Sequence, residues 1–250
     1  MKSATRGVYG PILIAIAAFA CTTRSPDGAS HDTDGASEDA AAPTTGAATP
    51  EEGPRGEPAA APEESQLTPR ERDRRGDEHL FAGRFDEAIA DFDAFLEAEP
   101  HWDAHHWRRG IAYYYAGRYA DGAAQFERHR KVNPDDVENA AWHFLCVARL
   151  RGVEEARAEL LPVGPDQRDP MKRVYALFAG EATPQDVLDD AARSSQRDAP
   201  FFAHLYLALY ADVTGDREAA RLHVREATTT HARTHYMGDV ARVHATLLLE

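Results

Sequence analysis

The stretch GRFDEAIADFDAFLEAEP runs from Gly83 to Pro100, and GRYADGAAQFERHRKVNP runs from Gly117 to Pro134. The two stretches align without gaps at an offset of 34 residues. The matching positions are Gly83 and Gly117, Arg84 and Arg118, Phe85 and Tyr119, Phe92 and Phe126, and Pro100 and Pro134. A glycine, an aromatic ring and a proline that recur at a fixed interval predict a structural unit that is repeated along the chain.

This period and this pattern are typical of tetratricopeptide helix pairs. In such a pair an early glycine lets the two helices approach closely, a second glycine permits the turn between them, and a proline ends the second helix. The residues that fit the repeat are Gly76, Gly83, Ala88, Phe92 and Pro100 in the first copy, and Gly110, Tyr113, Gly117, Phe126 and Pro134 in the second. The sequence therefore predicts consecutive helix pairs of this type.

The pattern weakens after Pro134 and returns near the C-terminus, where Gly215 takes the turn position and Ala220 a second-helix position. No segment alternates apolar and polar residues in the manner of a half-buried strand. We expect repeats over about 69–102, 103–136, 137–163 and 201–234, an irregular pair over 170–195, and a capping helix over 237–249. The prediction is an all-α, right-handed solenoid of about five helix pairs with a C-terminal capping helix.

Residues 1–21 have the composition of an export signal. A basic start precedes an apolar stretch over 8–20, which is shorter than the about 20 residues that span a bilayer. Small residues precede Cys21, as in the lipobox of bacterial lipoproteins, where the cysteine is acylated. The tripeptide AFA before this cysteine also fits ordinary signal cleavage. Two expectations therefore stand: acylation of Cys21 with anchoring in a bacterial outer membrane, or release as a secreted or periplasmic protein.

Residues 22–68 consist almost entirely of Ala, Pro, Gly, Ser, Thr, Asp and Glu, and Leu67 is their one large aliphatic residue. The segment contains ten acidic residues against Arg24 and Arg55. Because so little apolar surface can be buried, the segment cannot offset the entropy lost on ordering. We expect a disordered tether ahead of a folded domain over 69–250.

The net charge of −14 argues against a phosphate-binding surface. The sequence contains neither a glycine-rich phosphate loop nor a G-x-S-x-G motif. Cys146 lies in an apolar segment, where a cysteine is usually a small buried side chain. The sequence thus predicts a protein that is not an enzyme, uses no cofactor and does not bind nucleic acid.

Twelve histidines make a metal site a rival hypothesis from a different class. The tightest groups are His101, His105 and His106 in one segment, and His231 and His235 in another. The segment HARTH lacks the glutamate of the HExxH zinc motif, and the sequence offers no evident third ligand. We expect surface and capping roles for these histidines, with a histidine-based metal-binding protein or hydrolase as the alternative.

The first helix of each repeat is expected to line a groove with residues spaced on one helical face. These residues are Trp107, Ile111, Tyr114, Leu145, Leu205 and Leu209. An apolar groove that contains aromatic rings would accept a helix or an extended peptide of a partner protein. Two alternatives remain open: the chain's own C-terminal helix fills the groove, or these residues belong to the core.

Three segments carry a resemblance to a known family. They are HHWRRGIAYYYAGRYADGAAQFERHRKVNPDD, VYALFAGEATPQDVLDDAA and HLYLALYADVTGDREAARLHVREAT. In this order they resemble the NlpI-like tetratricopeptide lipoproteins of the bacterial outer membrane, over about Glu71 to Leu249. The resemblance implies a non-enzymatic adaptor that brings a periplasmic protease and peptidoglycan hydrolases together.

The chain departs from that family ahead of the repeats. NlpI-like proteins have additional N-terminal helices that are used in dimerisation, where this chain has the tether over 22–68. A homodimer therefore stays open. The alternative role within the same class is a pilotin or a subunit of an outer-membrane assembly machine.

Overall fold

The computed structural model describes residues 67–249. The predictions for the signal segment, for Cys21 and for nearly all of the tether fall outside the described residues. The α-helices are α1 (Pro69–Phe81), α2 (Phe85–Ala98), α3 (Trp107–Tyr115), α4 (Tyr119–Arg130), α5 (Val137–Arg151), α6 (Val153–Ala158), α7 (Met171–Ala179), α8 (Pro184–Arg193), α9 (Ala199–Thr214), α10 (Arg217–Thr228) and α11 (Tyr236–Leu249), and Pro100–His105 form a 3-10 helix.

Consecutive helices pack as pairs, with α1 on α2, α3 on α4, α5 on α6, α7 on α8 and α9 on α10. Successive pairs stack, since α2 also contacts α3, α4 contacts α5 and α8 contacts α9. Within residues 67–249 there is no strand. The predicted all-α solenoid of tetratricopeptide type is confirmed.

Two helices begin at capping boxes that the sequence encodes locally. Thr68 accepts a hydrogen bond from the backbone N–H of Glu71, and the Glu71 carboxylate accepts one from the backbone N–H of Thr68. Thr183 and Asp186 exchange the same pair of bonds at the start of α8. In both helices a proline follows the capping threonine, where its missing N–H costs no intrahelical bond.

The turn inside each of the first two pairs depends on a glycine. Gly83 has a φ of 75° and Gly117 a φ of 74°. A positive φ of this size is unfavourable for a side chain with a Cβ atom, and glycine adopts it freely. The recurrence of glycine at an interval of 34 residues therefore has a backbone cause.

The earlier glycine of each pair allows close contact between its two helices. A Cβ atom on Gly110 would lie 2.6 Å from Cζ of Phe126, and one on Gly76 would lie 2.4 Å from Cε1 of Phe92. Both phenylalanines are buried. Gly110 and Phe126 thus form one close contact between α3 and α4. Gly76 and Phe92 form the equivalent contact between α1 and α2.

This contact predicts an inverted response to alanine. Glycine to alanine inside a helix normally stabilises it by about 1 kcal/mol, but at Gly110 the new methyl group would overlap the Phe126 ring. We expect Gly110→Ala to lower the free energy of unfolding by about 1–2 kcal/mol in urea denaturation. The loss should shrink when Phe126→Leu is present as well, and an unchanged or increased stability of the single variant would contradict this packing.

The C-terminal helix does more than cap the stack. We predicted a capping helix over 237–249, and α11 does pack against α10. However, α11 also contacts α1, which belongs to the opposite end of the repeat array. Its ring contacts extend to α3, through Tyr236 with Trp107 and through His244 with Tyr115. Therefore α11 lies across the groove, which we define as the face formed by α1, α3, α5 and α9.

Candidate functional site

The structure separates the six predicted groove residues into two groups. Five of them are buried, namely Ile111, Tyr114, Leu145, Leu205 and Leu209. They pack into the main hydrophobic cluster. In this structure these five side chains therefore lie in the core, which is one of the two alternatives that the sequence left open. Only Trp107 stays partly exposed.

The N-terminal end of α11 is held by an aromatic contact. The ring of Tyr236 lies 4.9 Å from the ring of Phe81 and 4.9 Å from the ring of Trp107, both in edge geometry. The Tyr236 hydroxyl donates a hydrogen bond of 3.0 Å to Asp77. Tyr236 of α11 thus contacts both α1 and α3. Of the two alternatives that the sequence left open, the one in which the C-terminal helix fills the groove describes this part of the fold.

Charged groups of α1 and α3 form a network beneath Tyr236. Arg108 donates to both carboxylate oxygens of Asp73 at 2.7 Å and also pairs with Asp77. Nε2 of His106 lies 2.8 Å from Asp73. Burial raises the pKa of Asp77 despite Arg108. Burial also acts on Asp73, but hydrogen bonds from His106 and Arg108 outweigh it and lower the pKa of that carboxyl.

At the other end of α11 a histidine is buried without hydrogen bonds. His244 is 2% exposed, and neither ring nitrogen has a partner among residues 67–249. Its ring lies 6.1 Å from the ring of Tyr115, whose hydroxyl is also unpartnered among those residues. Burial, with a smaller contribution from Arg149, lowers the pKa of His244 to about 3. The neutral form of His244 is therefore required for α11 to pack as it does.

A cavity of about 560 Å³ lies beside the start of α11. All three tryptophans of the chain, Trp102, Trp107 and Trp142, line this space, which we call the tryptophan cavity. Trp102 lies on the 3-10 helix and is 47% exposed, whereas Trp142 on α5 is buried. The other lining residues are His105, Phe126, His129, Val132, Asn133, Asp136, Glu138, Asn139, Arg168, His235, Tyr236 and Met237.

Three polar atoms of the lining residues have no hydrogen-bond partner within the described chain: Nε1 of Trp142, Oδ1 of Asn139 and Nε2 of His235. The amide nitrogen of Asn139 donates to the carbonyl of Phe126 at 3.0 Å, which fixes the amide. Nδ1 of His235 accepts from the backbone N–H of Gly238, so Nε2 carries the proton of the neutral ring. All three atoms are buried, so in this structure none of them is exposed to the cavity.

One edge of the tryptophan cavity is acidic. Arg168 forms ion pairs with Asp136 and Asp166 at 2.6 Å and a third with Glu138. The Arg168 guanidinium also lies 5.8 Å from the centre of the Phe202 ring. Burial raises the pKa of Glu138 against the attraction of Arg168. Three carboxylates surround one guanidinium, so this edge keeps an excess of negative charge even when Glu138 is protonated.

A sequence profile of the tetratricopeptide repeat family matches residues 74–136. Residues 74–136 thus have the sequence pattern of tetratricopeptide repeats. The match spans most of α1 and all of α2, α3 and α4. No curated protein matches the sequence significantly. Tetratricopeptide repeats are modules that bind proteins or peptides, and this supports a role as a protein-interaction scaffold.

Some histidines lie close together: Nδ1 of His204 is 3.0 Å from Nδ1 of His223, and the His204 ring also contacts that of His231. Among residues 67–249 no group of three His, Cys, Asp or Glu side chains is arranged to hold a metal ion. His106 bonds to Asp73, His231 stacks on His204 with ring centres 5.0 Å apart, and His235 packs on Phe201. These groups have packing and hydrogen-bonding roles.

Two further findings concern Cys146 and the helices of residues 67–249. Cys146 is buried, and burial raises the pKa of its thiol well above the ordinary value. Among the helices between residues 67 and 249, none has the length and apolar composition needed to cross a membrane.

Proposed function

We propose that the protein is an adaptor of the bacterial envelope that binds a peptide segment of another protein in the tryptophan cavity. The cavity itself carries the proposal, since it joins aromatic walls to an edge that contains the carboxylates of Asp136 and Glu138. The tetratricopeptide repeats and the resemblance to NlpI-like lipoproteins support a partner among envelope proteins, such as a protease or a cell-wall hydrolase.

A peptide with an apolar side chain suits the accessible part of this lining. The partly exposed ring of Trp107 can pack against such a side chain. The exposed ring of Trp102 at the rim offers a second apolar contact.

A photocrosslinking experiment tests this site. A benzophenone amino acid replaces Trp102 at the rim of the cavity or, as the matched control, Leu222, which is 54% exposed on α10. In cells of the source organism we expect discrete protein adducts from position 102 and none from position 222. Identical adduct patterns at both positions, or no adduct at position 102, would contradict the proposed site.

We further propose that the adaptor is exported and anchored to the outer membrane by acylation of Cys21. The support is the signal-like composition of residues 1–21 and the small residues that precede the cysteine. The low-complexity tether over 22–68 would then separate the anchor from the repeats.

Acylation predicts a mass and partitioning change that depends on one thiol. We expect the native chain to enter the detergent phase and to carry the added mass of fatty acyl groups after loss of residues 1–20. Cys21→Ser should abolish both properties and leave the protein water-soluble. If the variant and the native protein have the same lipid content and the same partitioning, Cys21 is not the anchor.

A further inference from the structure

We infer that the tryptophan cavity selects peptides in which a basic side chain lies next to a large apolar one, and that it excludes acidic peptides. This inference rests on the proposed function and specifies the chemistry of its partner. The two requirements come from opposite sides of the same cavity, its acidic edge and its aromatic wall.

The acidic edge accounts for the basic side chain. Asp136 and Glu138 line the cavity, and Asp166 joins them through Arg168. The side chain of Arg168 is 38% exposed, and its guanidinium is already shared among the three carboxylates. Therefore a second cation gains attraction at this edge, whereas an incoming carboxylate meets an excess of like charge.

The rest of the lining adds no arginine or lysine to offset that excess. Arg168 is the one arginine or lysine among the residues that line the tryptophan cavity. The lining histidines are His105, His129 and His235, and Nδ1 of His129 is engaged with the backbone oxygen of Ala104. The chain as a whole carries a charge of −14, which adds a long-range preference for basic ligands.

The aromatic wall accounts for the large apolar side chain. Trp142 is buried and stacks on Phe126 at a centre-to-centre distance of 6.4 Å, and Phe126 also lines the cavity. Trp107 and Tyr236 form the adjoining wall, with their rings 4.9 Å apart. An apolar side chain of the peptide packs against this wall. The acidic edge then faces a neighbouring residue of the same peptide.

Selection from a random dodecapeptide library on the full-length chain tests the inference. The matched variant is Asp136→Asn, because asparagine also caps a helix well and Asp136 caps α5 through its side chain. We expect enriched peptides to pair Lys or Arg with an aromatic or large aliphatic residue and to lack Asp and Glu. For the best peptide, Asp136→Asn should weaken binding about two- to fivefold, and Lys→Glu in the peptide should weaken it by about tenfold or more.

The possible outcomes distinguish a failure of the charge preference from a failure of the proposed function. Enrichment of acidic peptides, or unchanged affinity when the lysine of the peptide is replaced by glutamine, overturns the charge preference and leaves peptide binding intact. A complete lack of enrichment overturns both this inference and the proposed function. Trp102→Ala provides the site control: it removes an exposed ring from the rim of the cavity, so the selected peptide should bind several-fold more weakly. Equal affinity for that variant would place the peptide elsewhere.

Discussion

Replacing Tyr236 by alanine is expected to lower the free energy of unfolding by about 2–3 kcal/mol, at or below the lower end for buried aromatic rings, because Tyr236 is only partly buried. The variant removes ring contacts to Phe81 and Trp107, each at 4.9 Å, and the hydrogen bond to Asp77. Because these contacts join α11 to α1 and α3, their loss should free the helix from the groove. Urea denaturation followed by circular dichroism measures the loss.

Two matched variants define what this loss means. Tyr236→Phe keeps the ring contacts and removes only the bond to Asp77, which retains Arg108 as its partner; we expect a cost of about 1 kcal/mol. Leu222→Ala changes an exposed residue of α10 and should cost less than about 0.5 kcal/mol. If Tyr236→Ala is no more harmful than Leu222→Ala, α11 does not lie in the groove as described.

Acidification is expected to destabilise the protein through His244. The folded chain holds its pKa at about 3, whereas an unfolded histidine titrates near about 6.5. Between these values the unfolded chain binds the extra proton, so the stability contributed by neutral His244 is complete above about pH 6.5 and falls as the pH falls. At pH 5 the difference of about 1.5 pKa units corresponds to about 2 kcal/mol.

The variant His244→Phe isolates this effect from that of other buried histidines. Burial also lowers the pKa of His106, His143, His204 and His223, so the native chain should lose more stability than one histidine explains. The stability difference between His244→Phe and the native chain should grow by about 2 kcal/mol in favour of the variant from pH 7.5 to pH 5. A constant difference over this range would show that His244 is not buried as a neutral ring.

The sequence predicts the repeats well because their determinants are local. Gly83 and Gly117 each adopt a positive φ angle that favours glycine. Gly110 and Phe126 are needed for one close contact between neighbouring helices. Each of these features recurs at a fixed spacing, so a single sequence displays them. The capping box at Thr183 is visible for the same reason.

The site was harder to predict because it depends on contacts between distant parts of the chain. Helical spacing placed Ile111 and Tyr114 on the groove face, but it could not show that α11 returns to cover that face. Asn139 and Arg168 were missed, since a core-facing helix position and a non-helical segment carry no periodic signal. The convergence of all three tryptophans is a tertiary feature, and a sequence gives only their number.

Helix α11 lies in the groove of its own repeats and leaves the tryptophan cavity beside it. Nuclear Overhauser measurements on the native chain test this most directly, with Trp107→Phe used to assign the indole signals. The structure predicts cross-peaks from the Tyr236 ring to both Trp107 and Phe81, whose ring centres lie 4.9 Å away. If Tyr236 gives no cross-peak to either ring and its signals have the shifts of an unstructured residue, the groove is open and α11 does not occupy it.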